Sequence, residues 1–242
     1  MIRNSILILQ HLNVEHPGIF RSFLQRDSFN IHTIELDQGE RIPNLRYYDA
    51  LWVMGGPMDV WEKEKYPWLI DEISTIREAI IDLNIPFMGI CLGHQLLASA
   101  FGAEVGPCGK AEVGILPVKK TLAGSESPFL LGLPNTMETL QWHSAEVKTI
   151  PNGFSVLAES ENCSIQSLAL EKKAFSVQYH QEITKATISD WSKVPEYKKS
   201  LEDSLGKDAV KKLEEDVLKK IDNFNYCAEL LYKNWKSTVF AS

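Results

Sequence analysis

Short apolar runs alternate with segments of helical pattern in the first part of the chain, and this alternation constrains the fold more than any other feature. The runs are SILILQ (5–10), IHTIEL (31–36), ALWVM (50–54) and PFMGI (86–90). Between the last two, residues 67–84 place apolar side chains at steps of three and four, as an amphipathic helix does. The alternation predicts an α/β protein with a doubly wound, mostly parallel sheet, whose sites lie beyond the carboxyl ends of the strands.

The pattern changes near residue 103, where runs of strand character follow one another with short connections. These runs are EVGILPV, METLQW, SVLAES, IQSLAL and AFSVQY. They predict an antiparallel extension of the sheet. After residue 183 the pattern is helical. We therefore expect residues 1–185 to form the main domain and residues 186–242 to form a C-terminal helical extension packed on the same domain.

The last segment has an amphipathic pattern with apolar residues at steps of three or four from Val210 to Trp235. We expect one long helix with a break near Asn223–Asn225. Its apolar stripe either packs on the sheet domain or forms a contact with a partner or a second copy of the chain. An oligomer formed through this helix is therefore an open alternative.

Charge and cysteine usage exclude several classes of protein. The chain carries 32 acidic and 25 basic residues, so its formal net charge of −7 offers no broad positive field to nucleic acid or to a membrane surface. The N-terminal apolar run is too short for a signal peptide, and no run has the length of a membrane span. The four cysteines form no CxxC pair and show no metal-ligand spacing with the histidines. These features predict a cytoplasmic protein with free thiols and no bound metal.

Cys91 lies where a nucleophile would be expected. The segment PFMGICLGHQ has an apolar strand, then Gly89-x-Cys91-x-Gly93, then a helical pattern. This is the order of a nucleophile elbow, in which flanking glycines allow a sharp turn above the sheet edge. A helix N-terminus activates a thiol placed there and directs backbone N–H groups at an oxyanion. The alternative is that Cys91 is a small buried apolar residue.

A thiol nucleophile needs a base and a group that orients the base. His180 and Glu182 end the apolar run AFSVQY, and their spacing of two residues places both side chains on one face of a strand. Cys91, His180 and Glu182 are therefore a candidate catalytic triad. His94 is closer to Cys91 in sequence, but we expect it to point away from the thiol. Taken alone, a histidine at a strand end is more often a hydrogen-bonded structural residue, and it is the link to the elbow that favours the catalytic role.

Three blocks, taken together, carry a resemblance to a known family. They are MGGPMDVW (54–61), GICLGHQ (89–95) and SVQYHQEI (176–183). In order and spacing they resemble the oxyanion loop, the nucleophile motif and the base-plus-carboxylate block of class I (triad-type) glutamine amidotransferases. Within that family the chain is most similar to stand-alone proteins that are like the amidotransferase domain of GMP synthase. The resemblance implies a flavodoxin-like sheet and assigns residues 1–185 to the amidotransferase domain.

The resemblance also implies a role for each matching residue. Cys91 would attack a γ-glutamyl amide, with His180 as general base and Glu182 orienting it. The backbone N–H groups of Gly56 and Leu92 would hold the oxyanion. The glutamyl group would be bound by Gly55, Gln95, His143 and Ser144. This chemistry needs no cofactor and no metal.

One departure from the family pattern concerns the triad. The family usually has proline between the histidine and the glutamate, where this chain has Gln181. The angle at which Glu182 meets His180 is therefore a question for the structure.

Three functions remain open at this point. The first is a γ-glutamyl hydrolase that cleaves glutamine or a γ-glutamyl peptide through a γ-glutamyl thioester. The second is a glutaminase subunit that supplies ammonia to a separate synthetase, since the sequence has no phosphate-binding loop of its own. The third is a non-catalytic binding module that retains the fold.

Overall fold

The computed structural model describes residues 4–240, and in this part of the chain nine strands form one sheet. The strands are β1 (Ser5–Gln10), β2 (Asn30–Glu35), β3 (Ala50–Val53), β4 (Phe87–Ile90), β5 (Val105–Lys120), β6 (Thr136–Val147), β7 (Ser155–Glu159), β8 (Ser167–Leu170) and β9 (Ala174–Val177). The helices are α1 (Phe20–Arg26), α2 (Trp68–Arg77), α3 (Leu92–Ala100), α4 (Leu122–Glu126), α5 (Thr187–Trp191), α6 (Pro195–Leu205) and α7 (Ala209–Val239). A π-helical turn, Glu78–Asp82, continues α2.

The sheet has a parallel half and an antiparallel half, in the order β2-β1-β3-β4-β9-β8-β7-β5-β6. Strands β2, β1, β3, β4 and β9 are parallel, whereas β9, β8, β7, β5 and β6 pair antiparallel. The predicted α/β fold with an antiparallel extension is thus confirmed. Strand β9 belongs to both halves, because it pairs parallel with β4 and antiparallel with β8. The carboxyl ends of β4 and β9 therefore lie side by side.

Both faces of the parallel half are covered, which explains why its strands are apolar without alternation. In β1, Ile6 and Ile8 pack on one face with α1 and α7, and Leu7 and Leu9 pack on the other face with α2 and α3. Successive side chains of a strand point to opposite faces, so every residue of such a strand is buried.

Helix α7 is continuous from Ala209 to Val239, so the expected break near Asn223–Asn225 is wrong. Phe224 is fully buried, and the apolar stripe continues through this segment into the core. An asparagine in a helix costs only about 0.7 kcal/mol relative to alanine, which packing of the stripe outweighs. The stripe packs within the same chain, as the first of the two interpretations predicts.

The C-terminal helices pack on the sheet and on one another. Helix α7 contacts α1, and α6 contacts both α7 and β5. Residues 1–3 of the expected domain and residues 241–242 of the expected extension lie outside the described residues. No helix within residues 4–240 is long and apolar enough to cross a membrane.

Candidate active site

Cys91 occupies a strained turn between β4 and α3. Its backbone has φ 53° and ψ −104°, an uncommon conformation for a residue with a side chain. The Cys91 N–H donates to Val177 O of β9 at 2.8 Å, which fixes the turn against the neighbouring strand. Strain of this kind occurs where surrounding structure enforces it, and nucleophile elbows are such places.

The two glycines of the elbow permit close packing rather than an unusual φ. A Cβ atom added at Gly93 would lie 2.1 Å from Val53 O, and one added at Gly89 would lie 2.6 Å from Gly93 O. Only residues without a side chain let α3 approach β3 and β4 this closely. The left-handed backbone conformation falls on Cys91 itself.

His180 and Glu182 lie at the carboxyl end of β9, beside the elbow. His180 Nδ1 donates to Glu182 Oε1 at 2.5 Å, so Gln181 in place of the usual proline leaves this pair in hydrogen-bond contact. Glu182 is anchored through its backbone, since its carbonyl accepts the N–H of Ile19 at 2.7 Å. Both Gln181 side-chain polar atoms are buried without a hydrogen-bond partner within the described residues.

The surroundings of His180 favour its charged form. Burial alone would lower the pKa of His180, but the carboxylate of Glu182 and the sulfur of Cys91 outweigh it and hold the pKa well above its usual value. The imidazole is thus placed between a thiol and a carboxylate. This is the arrangement of a thiol nucleophile with an oriented base.

The loop after β3 faces the elbow with its backbone. Leu92 is the first residue of α3, so its N–H has no carbonyl partner one turn earlier in the helix. Gly56 contacts Leu92, since a Cβ added at Gly56 would lie 2.9 Å from Leu92 Cδ2. His11 fixes this loop through hydrogen bonds. Its Nδ1 donates to Gly55 O at 2.7 Å, and its Nε2 donates to Glu72 Oε1 at 3.0 Å.

A cavity of about 130 Å³ opens at Cys91. Its residues come from the loop after β3, the elbow, β6 and α6, and they are Gly56, Pro57, Met58, Asp59, Cys91, Leu92, Gln95, Trp142, His143, Ser144, Ala145, Glu196, Tyr197 and Ser200. Helix α6 of the C-terminal extension thus forms one wall. Asp59 and Glu196 are the charged residues of this lining, and both are acidic.

The residues expected to hold a glutamyl group have different surroundings. Gln95, His143 and Ser144 all line the cavity. The Gln95 amide donates to Ala145 O at 3.1 Å and to Gln178 Oε1 at 3.0 Å. Ser144 is exposed, whereas both ring nitrogens of His143 have protein partners.

Glu112 is one of those two partners of His143. Its Oε2 lies 3.1 Å from His143 Nε2, while His143 Nδ1 lies 2.9 Å from Ala145 O. Gly55 is not part of the cavity lining and instead faces Glu15 and His180.

Sequence reasoning missed several side chains around the triad. Gln178 Nε2 lies 3.6 Å from Cys91 Sγ, and the ring of Trp191 meets that of His180 edge-on with centroids 4.7 Å apart. Glu15 is buried beside His180 and accepts a hydrogen bond from Tyr197. Gln178 shares the strand alternation of His180 and Glu182, a signal that could have been used.

The surroundings of His94, Cys108 and Cys163 do not suit a catalytic base or nucleophile. His94 points away from the cavity, with Nδ1 2.9 Å from Ser176 Oγ and Nε2 3.1 Å from Ile165 O, and burial lowers its pKa to about 3. Burial raises the pKa of Cys108 to about 12 and raises that of Cys163 as well. Within residues 4–240, no three His, Cys, Asp or Glu side chains form a group that could hold a metal ion.

The structure is an α/β protein with a cysteine on a strand–helix turn, beside a hydrogen-bonded histidine and glutamate. A family-level comparison matches residues 18–189 to glutamine amidotransferase class-I. The chain belongs to the class I glutamine amidotransferase family, and it is an amidotransferase-type enzyme of that family, as the sequence motifs predict.

Individual proteins give the same assignment. The chain is 30% identical over 154 residues to a GMP synthase (glutamine-hydrolyzing) subunit from Sulfolobus acidocaldarius, and the match covers 63% of this chain and 77% of that protein. It matches the crystal structure of a glutamine amidotransferase from Thermotoga maritima with TM-score 0.85 and 27% identity, over 98% of both chains. A glutamine amidotransferase structure from Methylobacillus flagellatus gives TM-score 0.86 and 26% identity, over 97% of this chain and 95% of that one.

Proposed function

We propose that this chain hydrolyses a γ-glutamyl amide with Cys91 as nucleophile, His180 as general base and acid, and Glu182 as the orienting carboxylate. The observation that carries the proposal is the position of His180 between the Cys91 sulfur and Glu182, all three buried at the carboxyl ends of two adjacent parallel strands. A buried imidazole held in this way lies beside the thiol whose proton it accepts and beside the carboxylate that orients it.

The reaction proceeds in two halves. In the first, His180 takes the proton of the Cys91 thiol, Sγ attacks the γ-carbonyl carbon, and His180 passes that proton to the leaving nitrogen as the C–N bond breaks. This leaves a γ-glutamyl thioester on Cys91 and releases ammonia or an amine. In the second, His180 removes a proton from water, the water oxygen attacks the thioester carbonyl, and the C–S bond breaks to give glutamate while His180 returns the proton to the Cys91 sulfur.

The oxyanion of both tetrahedral intermediates would be held by the N–H groups of Gly56 and Leu92. Leu92 supplies a helix N-terminal donor without an intrahelical partner, and Gly56 brings backbone close to it. Removing one such donor typically costs about 2.7–4 kcal/mol of transition-state stabilisation.

Four residues are proposed to bind or shape the glutamyl subsite. Ser144 is exposed in the cavity and would contact the glutamyl group directly. Gln95 and His143 would hold the 143–145 segment in position, because their side-chain nitrogens already bond to Ala145. Gly55 would keep the loop after β3 close to His180.

The first candidate is a hydrolase that works without a synthetase. Any partner that receives ammonia from Cys91 has to meet the mouth of the cavity. Here Glu196, Tyr197 and Ser200 of the chain's own α6 form one wall of that cavity. Residues 186–242 would then be an integral part of the catalytic domain rather than an appendage.

A glutaminase subunit is the second candidate, and a specific observation supports it. Three curated relatives of this chain bear the name of a GMP synthase (glutamine-hydrolyzing) subunit. For this chain the acceptor would then be a separate synthetase, and glutamine would be the donor. The two candidates share Cys91 and differ in dependence on a partner.

Purified protein alone distinguishes these functions. Release of glutamate, and of ammonia or amine, would be measured from glutamine, glutathione and a set of γ-glutamyl peptides, with Cys91→Ala as control. We expect turnover of at least one γ-glutamyl peptide above that of glutamine, lost in Cys91→Ala. Slow, Cys91-dependent turnover of glutamine alone would favour the partner-dependent subunit. No turnover of any donor would leave the non-catalytic binding module.

A further inference from the structure

Glu15 is a buried carboxylate beside the triad that the catalytic scheme above does not use. It follows β1 in the loop before α1, so it lies at the same sheet edge as the elbow. Only 3% of the residue is exposed. Its Oε1 accepts a hydrogen bond from the hydroxyl of Tyr197 in α6.

The other carboxylate oxygen of Glu15 faces the histidine of the triad. A Cβ atom added at Gly55 would lie 2.3 Å from Glu15 Oε2 and 3.4 Å from His180 Cε1. Both groups therefore border the same face of Gly55. Glu15 thus contacts the oxyanion loop and comes close to His180 while bonding to the wall of the cavity.

The surroundings of Glu15 are costly for a negative charge. Burial raises the pKa of Glu15, and the nearby carboxylate of Glu182 raises it further, whereas His180, Tyr197 and His11 act to lower it. A neutral glutamine could accept the Tyr197 hydrogen bond without that cost. A carboxylate at this position is therefore better explained by its effect on His180 than by stability.

Tyr197 connects Glu15 to the cavity. Tyr197 lines the cavity together with Cys91. The centroid of its ring lies 5.9 Å from that of Trp142 and 5.6 Å from that of Trp191. Trp191 Nε1 donates to Val14 O at 3.0 Å. The loop before α1 thus holds both α5 and α6 over His180.

We propose that Glu15 is a positioning residue of this active site, which fixes Tyr197 in the cavity wall and presents a second carboxylate to His180. The proposal rests on the proposed roles of Cys91 and His180. Tyr197 then shapes the wall of the cavity. The C-terminal extension reaches the catalytic histidine through the Glu15–Tyr197 hydrogen bond.

Two variants separate the two effects of Glu15. Glu15→Gln removes the charge and keeps an acceptor for Tyr197, whereas Tyr197→Phe removes the hydrogen bond and keeps the charge. The matched control is Tyr232→Phe, which deletes a tyrosine–carboxylate hydrogen bond of 2.6 Å to Asp27 between α7 and α1. Each variant would be compared with wild type for kcat, KM and the pH dependence of kcat/KM on the best γ-glutamyl donor. The pH dependence of Cys91 alkylation by iodoacetamide, followed by peptide mass spectrometry, gives a readout that needs no substrate turnover.

The expected results differ between the variants. Tyr197→Phe raises KM several-fold with little change in kcat, because loss of the hydrogen bond to Glu15 leaves the ring of residue 197 less firmly fixed in the cavity wall. Glu15→Gln lowers kcat about tenfold, the size of effect that one nearby charge can have on an ionised group. It also moves the higher pH transition of kcat/KM and of alkylation to lower pH, because loss of a neighbouring negative charge lowers the pKa of an imidazolium. Tyr232→Phe changes none of these.

The outcomes separate this inference from the proposed function. If wild type turns over no donor and Cys91 is alkylated no faster than the other cysteines, both proposals fail. If wild type is active but Glu15→Gln and Tyr197→Phe behave as Tyr232→Phe does, only the role of Glu15 is overturned. Tyr197→Phe leaves the carboxylate in place, so it tests the hydrogen bond even if Glu15→Gln does not fold.

Discussion

The two walls of the cavity are built in different ways. The wall formed by the sheet carries Cys91 and the glycine loop, at the carboxyl ends of parallel strands, and His180 lies buried beside it. The wall formed by α6 carries Glu196, Tyr197 and Ser200, from a helix after the sheet is complete. Under the proposed function, the sheet wall supplies the chemistry, whereas the α6 wall supplies shape and charge. We expect changes in the first to abolish turnover and changes in the second to alter which donor is used.

The largest effect is expected in the sheet wall, from Glu182→Gln. The variant removes the carboxylate that orients His180 and helps to hold its pKa high. Loss of the orienting carboxylate of a triad typically lowers kcat by about 10⁴-fold, with KM less affected. Steady-state kinetics on the best donor would measure this. A loss smaller than tenfold would remove Glu182 from the triad.

Gly93→Ala should damage the sheet wall through packing. The added Cβ would lie 2.1 Å from a backbone oxygen of β3, so α3 has to move. We expect a loss of about 3 kcal/mol in the free energy of unfolding, measured by urea denaturation. Gly109→Ala is the matched control, because no atom lies within 4 Å of a Cβ added there. Equal stability of the two variants would contradict the close packing of the elbow.

The α6 wall can be changed without touching the triad, by Ser200→Trp. Ser200 lines a cavity of about 130 Å³, which an indole would largely fill. We expect kcat/KM for γ-glutamyl peptides to fall about tenfold or more, an effect of the size that steric changes in a specificity pocket produce. Alkylation of Cys91 by iodoacetamide should be less affected. Ser204→Trp, on an exposed position of α6, serves as control, and equal losses in both variants would show that α6 does not form the donor site.

His94 belongs to the nucleophile motif, but we expect it to affect the pH dependence of stability and not the rate of turnover. Its folded pKa of about 3 lies below the usual 6.5, so the unfolded chain binds the proton more tightly. Its contribution to stability is therefore present above pH 6.5 and is lost as pH falls below that value. Relative to His94→Gln, wild type should lose about 1.4 kcal/mol per pH unit below 6.5. Parallel stability curves for the two proteins would contradict a neutral, buried His94.

The smallest effect is expected from Gln181→Met, next to the triad. Both polar atoms of this side chain are buried without a partner within residues 4–240, so an apolar side chain of similar size removes a desolvation cost. We expect thermal denaturation to show a gain of up to about 1 kcal/mol. Turnover should be close to wild type. A loss of several kcal/mol would show that Gln181 has a partner, such as a bound water, that holds the turn.

The sheet wall was predictable from the sequence because its residues follow strands in compact motifs. Gly56, Cys91 and His180 each stand within two residues of the end of an apolar run, and parallel strands bring their carboxyl ends together. Glu15 also follows a strand, but a single carboxylate in the loop HLNVEHPG carries no motif. Because sites in such sheets lie beyond the carboxyl ends of the strands, the position of that loop after β1 could have been used to assign it to the site.

The α6 wall could not be predicted in this way. Tyr197 meets Glu15 across 182 residues of sequence, and such a contact depends on how the C-terminal helices pack. Periodicity identified the stripe of α7 but not where α6 would lie. The continuity of α7 through Asn223–Asn225 has the same cause, since burial of Phe224 outweighs local propensity.

The most direct test of the account is to trap the acyl-enzyme. The purified chain, with no other protein, would be mixed with a γ-glutamyl peptide or glutamine, quenched in acid, and analysed by intact and peptide mass spectrometry. We expect an increase by the mass of one glutamyl group, located on Cys91 and absent from Cys91→Ala. An adduct on another residue, or consumption of the donor by Cys91→Ala at the wild-type rate, would contradict Cys91 as the nucleophile.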